Sequence, residues 1–72
     1  DELFPTEVGD YELTGVVNPT TTWTVSSPNA QLTVVDDTHC KVKCLSGNNS
    51  YVTLTADIGT TKVTKEILLM RW

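Results

Sequence analysis

Tyr51-Val52-Thr53-Leu54-Thr55-Ala56-Asp57 alternates polar and apolar side chains without a break. Successive side chains of an extended chain point to opposite faces, so this run predicts a strand with Val52, Leu54 and Ala56 buried and Tyr51, Thr53, Thr55 and Asp57 wet. The same beat returns in Thr21-Thr22-Trp23-Thr24-Val25, in Leu32-Thr33-Val34 and in Cys40-Lys41-Val42-Lys43-Cys44. Turn-forming residues separate these runs. The chain reads as all-β.

Working outward, residues 1–9 hold a single apolar pair, Leu3-Phe4, with Pro5 and Gly9 beside it. They supply at most a short or weakly ordered edge strand, because proline cannot donate to a ladder. Tyr11–Val17 alternates next, with Tyr11 and Leu13 on one face and Glu12 and Thr14 on the other, and Asn18-Pro19 closes it. Strands are further predicted over Thr20–Val25, Gln31–Val35, His39–Leu45, Ser50–Ile58 and Thr61–Met70, the last two joined as a hairpin around Gly59-Thr60. Between the fourth and fifth, the side-chain oxygens of Asp36-Asp37-Thr38 can cap a tight turn.

The segment from Lys62 to Trp72 also contains good helix formers, and Val63, Ile67 and Met70 share one helical face. Its β-branched residues, and the need of Ser50–Ile58 for a partner, predict a strand. Val63, Ile67 and Leu69 keep one parity while Leu68, Met70 and Trp72 take the other, so the far end is apolar on both faces. Either a bulge shifts the register there, or a neighbouring module covers the end.

Six to seven short strands with short turns predict a small antiparallel β-sandwich. Its expected core is Leu13, Trp23, Val25, Leu32, Val34, Cys40, Val42, Cys44, Val52, Leu54, Ala56 and Ile67. Trp23 is the largest member, able to bury on the order of 200 Å².

With 72 residues there is room for one domain. Chains of this size often lean on disulfides or metals. Cys40 and Cys44, however, stand four residues apart in one strand, at a separation of roughly 13 Å. A disulfide needs α-carbons within about 7 Å, so the two read as small buried hydrophobes, with a bridge to another chain or a metal-ligand role as alternatives. A net charge of −4 with scattered basic residues argues against nucleic acid. No apolar run approaches the roughly 20 residues of a membrane-spanning helix. The start at Asp1, without a targeting pattern, is expected of an excised piece or a processed product.

The tyrosine-led Tyr11-Glu12-Leu13-Thr14-Gly15, the strand Thr22-Trp23-Thr24-Val25, the Ser/Pro/Asn break after it and Tyr51-Val52-Thr53-Leu54-Thr55-Ala56 before a turn and a last strand resemble the bacterial immunoglobulin-like domains. The group-2 Ig-like and polycystic-kidney-disease-like types are the most similar, over about residues 11 to 69. The abbreviated start and the Cys-Lys-Val-Lys-Cys strand depart from that pattern. The resemblance implies an Ig-like sandwich with tryptophan between the sheets, in a large exported protein, extracellular or on the cell surface. Such modules act there as spacers, stalks or adhesive units. It also implies that the strand of Glu12 and Thr14 lies beside the Cys40 strand, near Lys41 and Lys43.

Chemistry-bearing residues are few. Asp36, Asp37, His39 and Cys40 are metal-ligand types, but strand alternation sends His39 and Cys40 to opposite faces, and a calcium loop needs more oxygens. No metal or cofactor is expected. Catalysis needs a nucleophile, base and orienting group held in a cleft, which a sandwich this small is not expected to offer, so the chain reads as non-enzymatic. Asn48-Asn49-Ser50 matches the glycosylation sequon, and otherwise reads as a turn.

Binding is the alternative to a spacer role, as in an accessory domain of an exported multidomain enzyme. Tyr51 and Trp72 are the candidate ligand contacts, with Phe4, and Tyr11 if the parity of its strand is reversed. Tyr51 is either an outward-facing ring or a corner tyrosine covered by a loop, its hydroxyl bonded to backbone. Expected partners are neighbouring domains of the parent chain, then glycans or surface proteins. In isolation a monomer is expected, with a dimer through Leu68, Met70 and Trp72 as the alternative.

Overall fold

Seven strands and no helix make up the described residues, 1–71, of the computed structural model. They are β1 (Glu2–Leu3), β2 (Val8–Glu12), β3 (Thr22–Val25), β4 (Ala30–Val34), β5 (His39–Cys44), β6 (Ser50–Asp57) and β7 (Lys62–Leu69). Four form one sheet in the order β1-β7-β6-β3, and three form the other in the order β2-β5-β4. Every pairing is antiparallel except that of β1 with β7. Inward residues of both sheets make one apolar cluster, so the arrangement is sandwich-like.

The alternating run at 51–57 falls in β6, where Val52, Leu54 and Ala56 are buried. Its partner β7 is a strand, not a helix, and pairs without interruption from Ser50↔Leu69 to Asp57↔Lys62. No bulge interrupts that ladder among the described residues. At the far end, where β1 pairs alongside, Ile67 and Leu69 are buried, and Leu68 and Met70 are half-buried.

Trp23 lies in the core, 9% exposed, and its indole N–H donates to the Asp36 carbonyl at 3.1 Å. Cys40, Val42 and Cys44 share the inner face of β5, and both cysteines are free thiols. Among the described residues no buried side-chain nitrogen or oxygen lacks a hydrogen-bond partner. No helix among them is long and apolar enough to cross a membrane.

Several expectations are corrected. The strand placed over Tyr11–Val17 runs over Val8–Glu12 instead. Its ladder starts at Val8↔Lys43 and ends at Glu12↔His39, where β5 begins, and Gly15 (φ 77°) and Asn18 (φ 45°) then turn the chain. Glu12 therefore faces His39, Asp10 faces Lys41, and Thr14 lies outside the ladder. Val34, placed in the core, is 55% exposed. It ends the outer strand β4, which has a neighbour on one side only, and burial falls along that strand from Ala30 through half-buried Leu32. Val25 is likewise half-buried against the cluster. Conversely Leu3, Ala30 and Leu69 belong to the core.

Candidate functional site

An open cleft of about 230 Å³ lies between the two sheets, although no such cavity was expected of so small a sandwich. Leu13, Trp23, Leu54, Ala56 and Val63 give it apolar walls, and Tyr11, Glu12, Thr64 and Lys65 complete its lining. It exists because β1 is short. β1 pairs with β7 only at Leu68 and Leu69, which leaves Lys62 to Glu66 without a neighbour on that side. All five of those residues are exposed, including Val63 at 45%, although Val63 and Lys65 share the inward parity of Ile67 and Leu69. The volume is below the roughly 300 Å³ at which small-molecule pockets begin. It suits one or two side chains.

Beside Glu12, a polar cluster closes the turn between β4 and β5. Asp36 Oδ1 accepts from the Thr38 backbone N–H at 2.9 Å, an Asx-type cap, and lies 2.9 Å from His39 Nδ1. His39 Nε2 stands 3.4 Å from Glu12 Oε2, so each imidazole nitrogen faces a carboxylate. The Thr38 amide and the His39 ring hold the Asp36 carboxyl down at about 2. Hydrogen bonding to Asp36, with the charges of Asp36 and Glu12, raises the His39 pKa above its ordinary 6.5. Three further hydrogen bonds tie the turn to β3 and the residue before it: the Trp23 indole donates to the Asp36 carbonyl, and Thr21 donates its amide to Asp37 Oδ1 at 3.0 Å and its hydroxyl to the Asp37 carbonyl at 2.6 Å.

The thiols are chemically quiet. Burial pushes Cys40 up to about 11 and raises Cys44 as well, so neither is a ready thiolate. Among the described residues no group of three or more His, Cys, Asp or Glu is arranged to hold a metal ion.

On the outer face of the four-stranded sheet, register aligns Thr24, Thr55 and Thr64 in one row. Tyr51 stands on the same face at the start of β6, 63% exposed, opposite Leu68. The outward reading of Tyr51 holds, and the loop-covered one does not. Phe4 is 41% exposed. Tyr11 is half-buried on the inner side, where its hydroxyl donates to Asp1 Oδ2 at 2.6 Å. Trp72 lies outside the described residues.

Sequence reading missed the cleft and the Glu12–His39 contact. The first depends on how far β1 extends along β7, and the second on the register of two strands distant in the chain. No protein-family model matches this sequence, and neither a curated protein nor a solved structure matches it.

Proposed function

We propose that this chain is a non-catalytic, Ig-like structural or adhesive module of a larger bacterial cell-surface or secreted protein. The strand order carries this reading. Lettered in chain order, β2-β5-β4 corresponds to B-E-D and β7-β6-β3 to G-F-C, the two sheets of an immunoglobulin sandwich. The one departure is β1, which joins β7 instead of β2.

That departure suits a spacer. β1 and β7 are the first and last strands and run parallel, so tension applied through the two ends shears their contact along its length. The Leu68 amide bonded to the Asp1 carbonyl and the Met70 amide bonded to the Leu3 carbonyl, each 2.8 Å, then bear load together. A non-catalytic role agrees with a histidine engaged by carboxylates at both nitrogens and thiols raised by burial. Single-molecule pulling from the two ends tests the proposal. A discrete unfolding step whose force falls in Leu3→Ala is expected, and extension without a resolvable step would overturn the spacer role.

A second reading, carbohydrate binding, is favoured by one observation. The exposed Tyr51 ring adjoins an outer face bearing Thr24, Thr53, Thr55 and Thr64, a stacking surface beside hydroxyls. Titrating labelled protein with a panel of soluble glycans is decisive. Amide shifts clustered on Tyr51 and those threonines would establish it, and silence across the panel would leave the spacer.

A further inference from the structure

We infer that two copies of this chain pair antiparallel through the open edge of β7, residues Lys62 to Glu66, centred on Thr64. The backbone prepares that edge. The Leu68 and Met70 amides donate to β1, so the even-numbered residues of β7 direct their N–H and C=O groups away from β6. Beyond the end of β1, the same direction falls to Lys62, Thr64 and Glu66, where no strand receives them.

Charge selects the occupant and the register. With Thr64 facing Thr64 of the second copy, Lys62 of each copy stands opposite Glu66 of the other on the outer face. Among the described residues neither has an ion pair within its own chain. On the inner face each Lys65 then stands opposite Val63 of the other copy. Centring on Lys65 would oppose two lysines, and centring on Val63 would leave Lys62 opposite Thr64. An inward-pointing lysine on an edge guards against indiscriminate pairing. Here it leaves one register favoured. The contact is isologous and closes on itself, joining the two larger sheets through β7 alone. It is also distinct from a dimer through Leu68, Met70 and Trp72.

Sedimentation equilibrium of the 72-residue chain at high concentration and low salt tests the inference. A monomer–dimer equilibrium is expected, weakened about tenfold in Lys62→Glu and in Glu66→Lys, where like charges meet, and restored in the double variant that exchanges them. Amide shifts of Lys62, Thr64 and Glu66 in the unaltered protein are expected to move with concentration, an independent check if a variant folds poorly. Monomer at every concentration, or association indifferent to both reversals, would overturn it.

Discussion

The indole N–H of Trp23 donates to the backbone carbonyl of Asp36 at 3.1 Å, which fastens the largest core side chain to the turn between β4 and β5. The ring is buried with Leu54, Ala56 and Leu13. The polar end meets an acceptor that would otherwise lose one, and the apolar body fills the space between the sheets.

Trp23→Ala should remove about 3–5 kcal/mol, as large aromatic truncations in cores do. That is comparable with the roughly 5 kcal/mol expected of a small domain, so most of the population should unfold. Trp23→Phe keeps most of the apolar contact but gives up the hydrogen bond to the carbonyl of exposed Asp36, and a smaller loss of about 0.5–1.5 kcal/mol is expected. Urea denaturation followed by far-ultraviolet circular dichroism measures both. A cooperative Trp23→Ala variant of near-native stability would mean that the ring contributes little burial.

How much of this could be read from residues alone depended on strand length and on neighbours. The strands β5 and β6 are paired on both sides, and six and eight residues respectively, so their alternation is unmistakable. β1 has two residues and therefore no period, which is why Leu3, read as part of a short edge strand, was not placed in the core although it is only 4% exposed. Gly9 hid the start of β2. It has no side chain to alternate, and a Cβ there would come within 2.8 Å of the hydroxyl and 2.9 Å of the ring of Tyr11, which leans across it. The capping role of Asp36 was legible because it is local, whereas its capture of His39 beside Glu12 required the β2–β5 register.

The Asp36–His39–Glu12 contacts make stability depend on pH with a definite sign. The folded-state pKa of His39 is raised, so its contribution is fully present below the ordinary value of 6.5 and is lost as pH rises through the higher folded value. Asp36 is depressed to about 2 from 3.8, so its contribution is present above 3.8 and is lost as pH falls towards 2. Calorimetry should therefore show the highest melting temperature between about pH 4 and 6.5. His39→Gln should flatten the decline on the alkaline side and shrink the acid limb to the part that the Thr38 amide supports, because the His39 ring also helps hold Asp36 down. All these groups are exposed, so the effect should be modest and diminish in salt. An unchanged alkaline limb in His39→Gln would remove His39 as its origin.

Cys40 and Cys44 should resist alkylation in the native domain. Cys40 is 1% exposed and Cys44 has no exposed surface, and burial raises both thiols. Iodoacetamide at mildly alkaline pH should therefore modify them only through opening of the fold, at a rate that rises with added urea. Rapid labelling of both thiols without urea would show that β5 opens separately from the rest.

Gly47→Ala isolates the packing of the β5–β6 loop on the end of β7. A Cβ at Gly47 would run into the Met70 carbonyl group, with the Met70 carbonyl carbon 2.6 Å away and the Leu69 carbonyl carbon 2.9 Å away. Those atoms are backbone and cannot swing aside as a side chain can. They are also held, since the Leu69 carbonyl accepts from the Asn49 amide at 2.9 Å and the Met70 amide donates to the Leu3 carbonyl at 2.8 Å. Relief therefore requires moving the loop or loosening the β1–β7 contact. A loss of about 1–3 kcal/mol is expected, in the range of overpacked core substitutions. If β1 yields first, hydrogen exchange should quicken at Leu68 and Met70 before it does in the middle of β6. Uniform acceleration would mean that the loop and the fold move as one unit, and unchanged stability would mean that the loop has room to shift.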